Sequence, residues 1–506
     1  MFSSSRSLAS RPLRRFIHAS PLRRAALRDA VPSQYTLQIM ASANSGNFAE
    51  CLQIASKMKA ENISPDAATY NAMLSLAARS GSWLYSWAIF DDMLQRGIQP
   101  TPVLFSHLIH AQRDRPATNL WYALERMKHY GMKPNASVYT SIITCLVNES
   151  NIETVLRVFF MMKREGIVPE LSAAQAAIIL AAECGYSQLA IEIAKYFEAV
   201  SVRRLESSAW IACLSSASRN LYVEGVSTCW PIVVNEFAHT PNEGICLAVL
   251  STAARHGLPE LAMDVLRVLK NGNREWQEYH FAALIEAFCR NDQLKEALTT
   301  PRLMRTNGIE PADTTTSFIF ECIKRDVDVL DSATTMIDEI YAADGSVDID
   351  ALKVVVWASI FLGDLQRAVG IYKSFSDYDL EPDLAVFNLL LEGCVTAQHR
   401  PLGDLLLTDM KKHKVQPNEE TYKNMIRLCL TQTVYEDAFY YLEEMKAAGY
   451  VPPREIYVAL SEKCISAEDS RSHMVLQEMR ECGYRLEDTR AKTIARRASL
   501  QNSARP

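Results

Sequence analysis

The sequence has no run of about 18 or more uncharged apolar residues, the length a helix needs to cross a bilayer, so no membrane span is expected. Its most apolar short run, residues 176–182, is long enough only for part of a buried helix. It also lacks the pairings that metals need. None of the twelve cysteines forms a CxxC, and the ten histidines are scattered away from them. Zinc sites require close ligand pairs, so no metal or cofactor is expected. Cys145, Cys289, Cys394, Cys429 and Cys464 instead read as small apolar packing residues, kept reduced. A glycine-rich phosphate loop, an HExxH and a GxSxG are all missing. His280 belongs to no catalytic motif and reads as a helix-start residue, and Glu443-Glu444 as a solvated helix face. Neither catalysis nor a small-molecule substrate is expected.

Acidic residues are missing from positions 1–24, which hold Arg6, Arg11, Arg14, Arg15, Arg23 and Arg24. The whole chain carries −6, so without those six charges the remainder carries −12. An acidic body is unlike a non-specific nucleic-acid binder. The basic, Ser- and Leu-rich start has the composition of a mitochondrial transit peptide. Arg15, Ile17 and Ser20 stand ten, eight and five positions before a cut after Arg24, which resembles two-step matrix processing. The string RRFIHAS is similar to fungal presequences. A basic arm that binds RNA directly is the alternative. After Asp488 a second acid-free stretch carries Arg490, Lys492, Arg496, Arg497 and Arg505, either a solubilising end or an RNA contact.

Self-similarity organises the rest. Thr69-Tyr70-Asn71, Val138-Tyr139-Thr140 and Val386-Phe387-Asn388 each open an amphipathic stretch with an aromatic and then a short polar residue. A second helical stretch follows each, closing as MLQRGIQPT (93–101), MKHYGMKPN (127–135), MKREGIVPE (162–170), MKKHKVQPN (410–418) or MKAAGYVPP (445–453). Units fit 32–66, 67–101, 102–135 and 136–170, then 278–312, 313–348, 349–383, 384–418 and 419–453. Residues 171–277 hold about three degenerate units, and 454–487 a last one. Glycine in the closing loop supplies a left-handed cap, and proline after it bars continuation of the helix. Residues such as Trp87, Phe90, Met93 and Leu94 give each helix one apolar face. A two-helix unit cannot bury that face alone, whereas stacked neighbours can. The expected fold is therefore all-α, an α-solenoid of about thirteen helix-turn-helix units of about 35 residues. The expected segments are a presequence at 1–24, a linker at 25–31, repeats at 32–170, degenerate repeats at 171–277, repeats at 278–487 and a basic tail at 488–506.

Tetratricopeptide repeats share nearly the same period, but their Trp–Leu–Gly–Tyr pattern is not seen. The [TVS]-[YF]-[NTS] opening and the Met…Gly-x-x-Pro-[DNT] close resemble the pentatricopeptide repeat family over residues 32–487, without an added catalytic domain. That resemblance implies a right-handed superhelix whose stacked first helices present single-stranded RNA, one base per unit, to the unit's fifth and last residues. It implies an apolar wedge at the second position. Carried over unit by unit, Thr36 with Asp66 and Ser317 with Asp348 resemble guanine-preferring pairs. Ser106 with Asn135 resembles an adenine pair, and Asn388 with Asn418 a pyrimidine pair. Asn71 with Thr101 is a weaker pyrimidine pair. Val103 and Ala385 are the wedges. Thr140 (with Glu170), Lys353 (with Asp383) and Lys423 (with Pro453) depart from the pattern, the two lysines as candidate phosphate contacts. Ala282 with Ala312 departs too, and the middle units place Gln175 and Trp210 at the fifth position.

Two functions remain in competition. The first is non-catalytic, base-selective binding of single-stranded mitochondrial RNA in the matrix, acting in transcript stability, processing or translation. The second is a protein-binding scaffold associated with the mitochondrial ribosome or with complex assembly. The −12 body and the degenerate middle favour the second, and the in-phase polar pairs favour the first. A first-helix face lined with carboxylates would argue against RNA.

Overall fold

The computed structural model describes residues 34–484. The expected presequence, the linker and the basic tail from 488 onward lie outside the described residues. Two compact units divide the chain, 1–177 and 178–506. In the first, α1 (Gln34–Ser45), α2 (Phe48–Ala60), α3 (Ala67–Arg79) and α4 (Trp83–Gln95) are followed by α5 (Pro102–His110), α6 (Thr118–His129), α7 (Ala136–Asn148) and α8 (Ile152–Arg164). Next comes α9 (Leu171–Glu183), then α10 (Ser187–Val200), α11 (Ser207–Arg219), α12 (Val223–Pro231), α13 (Glu243–His256) and α14 (Pro259–Asn271). These lead to α15 (Glu278–Arg290), α16 (Leu294–Thr306), α17 (Asp313–Ile323), α18 (Val327–Asp344), α19 (Ile349–Phe361) and α20 (Leu365–Ser374). The last are α21 (Leu384–Ala397), α22 (Arg400–Lys412), α23 (Glu419–Thr431), α24 (Glu436–Ala447), α25 (Arg454–Ser466) and α26 (Ser472–Glu481). The described helices thus form thirteen pairs, and no strand occurs among the described residues.

The closing motif works through three local effects. Its methionine is buried: Met58, Met93, Met127, Met162, Met304, Met410 and Met445 are each at most 1% exposed. Its carbonyl then accepts the amide of the residue after the glycine, as in Ile98 N to Met93 O (3.3 Å) and Ile167 N to Met162 O (3.0 Å). This is the long bond of a Schellman-type cap. The residue between them is left-handed: Gly97 has φ +75°, and a Cβ built on it would touch nothing. Backbone conformation, rather than crowding, therefore selects glycine there. Asn62 (φ +54°), Asn273 (φ +58°), Asp379 (φ +57°) and Lys414 (φ +59°) hold the same conformation where glycine is missing.

Aromatic residues at the fourth position form the core between the two helices. Tyr70, Phe105, Tyr139, Phe281, Phe387 and Tyr457 are at most 4% exposed. In three of these pairs the tyrosine hydroxyl donates to a carboxylate at the far end of the same pair. Tyr70 reaches Asp92 (2.6 Å), Tyr139 reaches Glu165 (2.9 Å) and Tyr457 reaches Glu478 (2.9 Å). The buried hydroxyl is thereby satisfied.

First helices of successive repeats pack directly on one another. In the first unit these are α1 on α3, α3 on α5 and α5 on α7; in the second the same holds from α11 through α25. Consecutive fifth-position residues therefore sit side by side. The middle repeats start at 171, 207 and 243 and lack the Gly-x-x-Pro close. One of them ends irregularly, with Pro231 removing a backbone donor just before a π-helical turn at Ile232–Glu236.

Candidate nucleic-acid interface

Helix starts decide where the expected contact residues lie. The last residue of a repeat stands just before the next first helix, and where it is Asp or Asn its side chain caps that helix. Asp66 Oδ1 accepts from Thr69 N (2.8 Å), Asn135 Oδ1 from Val138 N (3.0 Å) and Asp383 Oδ1 from Val386 N (2.9 Å). Asn418 Oδ1 accepts from Thr421 N (3.0 Å) and Asp348 Oδ1 from Asp350 N (2.9 Å). Thr101 occupies the same place without a side-chain cap bond. Asp and Asn at the last position thus have a local structural reason to be there, worth about 1 kcal/mol each.

What distinguishes the repeats is whether the fifth residue joins this cap. It does so twice. Asn388 Nδ2 donates to Asn418 Oδ1 (3.1 Å), and Asn388 Oδ1 accepts from Thr421 Oγ1 (2.7 Å). The Thr421 hydroxyl also lies 2.9 Å from Asn418 Oδ1. In the first unit, Thr36 Oγ1 lies 3.0 Å from Thr69 Oγ1, which donates to Asp66 Oδ1 at 2.6 Å. Either threonine hydroxyl can be the donor at the shared contact. Third-position threonines therefore connect the fifth and last residues across a repeat boundary. The sequence reading missed them, although Thr69, Thr315 and Thr421 recur in phase.

Other expected residues stand apart. Ser106 is 3% exposed and donates to Val103 O (2.7 Å), Thr140 donates to Ala136 O (2.9 Å) and Ser317 to Thr314 O (2.6 Å), each within its own helix. Ser106 is therefore not joined to Asn135, nor Ser317 to Asp348, by a hydrogen bond. Asn71 is exposed, and Val103, at 43% exposure, offers an open apolar surface. Trp210 requires a correction. Glu206 stands just before α11 and the helix starts at Ser207, so the fifth residue is Ile211. Trp210 is instead the buried fourth-position aromatic, 1% exposed. The 36-residue spacing of the middle repeats shifted the register by one. His280 caps α15 by accepting from Gln277 N at Nδ1 (2.9 Å) and is 1% exposed, a structural role.

Both candidate lysines are paired with carboxylates. Lys353 Nζ lies 2.5 Å from Asp350 Oδ1, and Lys423 Nζ bridges to Glu420 and, at 3.9 Å, to Glu419. Asp350 also takes Arg305 Nη2 (2.6 Å), while Asp348 takes Arg305 Nε (2.9 Å). Both carboxylate side chains are only 4% exposed. Burial pushes the Asp348 carboxyl up, against the Asp350 amide and Arg305, which pull it down. For Arg305, burial works to lower the guanidinium, and the Asp350 hydrogen bond and both carboxylate charges raise it above its ordinary value.

These first helices enclose a groove of about 470 Å³ in the second unit. Thr316 of α17, Lys353 and Trp357 of α19, Ala385 and Asn388 of α21, and Asn418 and Asn424 at α23 line it. Glu392 and Glu420 line it too, so the lining is mixed in charge. Of the expected residues, the groove gathers Lys353, Ala385, Asn388 and Asn418; Trp357, Asn424 and Thr316 had no sequence signal. Among the described residues no group of three His, Cys, Asp or Glu could hold a metal, and no helix is long and apolar enough to cross a membrane.

Comparison with known proteins follows the repeat boundaries. Residues 33–79, 88–149 and 123–173 match the pentatricopeptide repeat domain, and 68–98 the single PPR repeat. Residues 243–375 match the family described as pentatricopeptide repeat-containing protein, and 361–493 the pentacotripeptide-repeat region of PRORP. Mitochondrial pentatricopeptide repeat-containing protein 1 of Mus musculus is 23% identical over 80% of this chain, which spans 57% of that protein. The mitochondrial 15S rRNA processing factor of Yarrowia lipolytica is 30% identical over 28% of this chain and 19% of its own length. Among solved structures, the pentatricopeptide repeat protein PPR10 from maize aligns over 92% of this chain and 70% of its own, with a TM-score of 0.39 and 18% identity. Thirteen helical pairs, opening and closing motifs in phase outside the middle repeats, and family matches across 33–173 and 243–493 have one reading: this chain belongs to the pentatricopeptide repeat family.

Proposed function

We propose that this chain binds single-stranded RNA in the mitochondrial matrix, without catalysis, and acts in organelle RNA metabolism. The observation that carries this is the Asn388–Asn418 amide pair in the groove. An asparagine amide has two donor hydrogens and two acceptor lone pairs. The bonds within the pair leave Asn388 one of each and leave both hydrogens on Asn418 Nδ2. A donor–acceptor edge of this kind, held in place by Thr421, suits the Watson–Crick edge of an unpaired base. Asn71 and Val103 in the first unit offer a second open pair of surfaces. The names of the mouse and Yarrowia relatives support a mitochondrial, RNA-directed role, and the Arg15, Ile17, Ser20 pattern supports the matrix.

Binding is tested on the chain from residue 25 onward with fluorescent single-stranded oligomers of mixed sequence. Affinity is expected to fall as salt rises. Replacing Asn388 and Asn71 with alanine is expected to weaken binding by about thirtyfold, at about 1 kcal/mol for one lost hydrogen bond at each residue, with helicity unchanged. Equal binding by the double variant would overturn base contact at these positions. The scaffold reading is favoured by the −12 body, the paired lysines and Tyr85, Trp121 and Tyr122, each about half exposed on second helices. Crosslinking in isolated mitochondria separates the two: one enriched transcript supports RNA, and ribosomal proteins without an enriched transcript support the scaffold.

A further inference from the structure

One ring in the groove has no part in the arrangement above. Trp357 is the ninth residue of its repeat, one helical turn beyond Lys353 on α19, and it is partly exposed. It stacks on Phe320 of α17 with ring centroids 3.6 Å apart and planes 8° from parallel. Phe320 is 5% exposed, and Lys324 Nζ lies 5.0 Å from its ring centroid. Phe361 meets the same ring edge-on at 5.6 Å. One face of the indole is therefore covered and braced, and the residue lines the groove.

Two polar atoms of the lining residues also have no hydrogen-bond partner among the described residues. The indole nitrogens of Trp210, Trp230 and Trp276 donate to Glu198, Asp264 and the Leu266 carbonyl at 3.4, 2.8 and 3.0 Å. Trp357 Nε1 has no such partner among the described residues. Asn424, 2% exposed, donates through Nδ2 to Asn388 O (3.3 Å), but its Oδ1 is buried without a hydrogen bond. The groove's volume of about 470 Å³ lies in the roughly 300–1,000 Å³ range of sites that enclose small ligands.

We propose that Trp357 is a stacking platform for one nucleobase, so that the repeat at 349–383 holds a base without selecting it. The inference rests on the RNA reading of the same groove. At the fifth position this repeat has Lys353, which has no acceptor and is bound to Asp350, so it cannot read a base edge as Asn388 can. Every base has a π face, so stacking on an aromatic ring gives affinity with little sequence preference. Phe320 fixes the ring before the ligand arrives, which limits the entropy lost on binding. Two sources can supply a base, an RNA strand or a free nucleotide, and the assignment is to the strand.

The test compares wild type, Trp357→Phe, Trp357→Leu and Asn388→Ala with U, A and C homo-oligomers and with free AMP and UMP. Tryptophan fluorescence and oligomer anisotropy are read together, with circular dichroism as the folding control. Oligomers are expected to quench wild-type fluorescence, and both Trp357 variants to lose most of that quenching. Trp357→Leu is expected to bind all oligomers about 5- to 100-fold more weakly, and by similar factors, whereas Trp357→Phe stays within about threefold of wild type. Asn388→Ala is expected to change the ranking among oligomers. If Trp357→Leu binds like wild type and quenching persists in Trp357→Phe, stacking is overturned while RNA binding stands. Wild type that binds no oligomer overturns the RNA reading itself. Saturation by AMP or UMP below the concentration needed for any oligomer overturns the strand as the source.

Discussion

Asn418 has an observed capping role and a proposed base-contact role, and one pair of substitutions separates them. Its Oδ1 takes three contacts, from Thr421 N, Thr421 Oγ1 and Asn388 Nδ2 at 3.0, 2.9 and 3.1 Å. Asn418→Ala removes the cap of α23, a loss of about 1 kcal/mol within a range of about 0.5–2. The Thr421 hydroxyl keeps Asn388 Oδ1 as an acceptor, which holds the cost near the middle of that range. Asn418→Asp keeps an acceptor at the same place, and Asp caps about as well as Asn. Glu419 and Glu420 follow directly, so the added charge loses part of its favourable interaction with the helix start. Stability of Asn418→Asp is therefore expected within about 0.5 kcal/mol of wild type. Binding separates differently. Aspartate has no donor hydrogens and adds a negative charge beside the strand, so both variants lose base contact and Asn418→Asp loses more. At about 1 kcal/mol per hydrogen bond, the loss is about fivefold for alanine and more than tenfold for aspartate. Urea midpoints measure the first property and oligomer anisotropy at fixed salt the second. An Asn418→Asp protein that is stable and binds with wild-type affinity and the same base ranking would refute the claim that this amide faces RNA.

Three further outcomes follow from the same geometry. Lys414→Gly is expected to raise the urea midpoint by the equivalent of roughly 0.5–1 kcal/mol, because it relieves a non-glycine residue at φ +59° at some cost in unfolded-state entropy. A lowered midpoint would show that the Lys414 side chain holds the loop. Arg305→Ala leaves Asp348 and Asp350 buried with only Lys353 as counter-charge; a loss above about 2 kcal/mol is expected on urea unfolding, and an unchanged midpoint would mean that both carboxylates hydrate freely. Burial lowers His107, His110 and His280, with the His110 charge adding at His107 and Arg113 at His110. Folding therefore disfavours their protonation, so their stabilising effect is complete above about pH 6.5 and is lost as pH falls through their lowered folded values. Thermal melts between pH 7.5 and 5 are expected to show a falling Tm, with a shallower slope in His280→Asn, which keeps an acceptor for Gln277 N. A Tm rising toward pH 5 would contradict this.

Repeat boundaries were legible in the sequence because their signals are local. Methionine, a left-handed residue and proline lie within nine positions of one another, and each acts on its own turn of chain. The thirteen pairs and the buried cysteines at the ends of first helices follow from that punctuation. Trp210 was misplaced by one residue because the middle repeats lack the motif, which left only hydrophobicity to set the register. Thr421, Trp357 and Asn424 escaped for a different reason. Each matters through a partner on the neighbouring repeat, about one repeat length away: Thr421 through Asn388, Trp357 through Phe320, and Asn424 through the Asn388 carbonyl. No window shorter than two repeats contains both halves of these contacts.

Capping and base reading make opposite demands on the last residue of a repeat. A cap needs an acceptor turned into the helix start, whereas a base contact needs polar groups left over once the cap is made. Asparagine meets both, with Oδ1 turned inward and Nδ2 free. Aspartate caps equally well but offers no donor. The Thr36–Thr69–Asp66 chain is buried at its start, with Thr36 only 1% exposed, whereas Asn388–Asn418 opens onto a groove. An in-phase Asp or Asn is therefore weak support for RNA contact, since α-helix capping alone accounts for it at Asp66, Asp348 and Asp383. The stronger indicator is a fifth residue bonded to an asparagine cap with donors remaining. That criterion selects the repeat at 384–418, beside Trp357, as the place where we propose that selective contact begins.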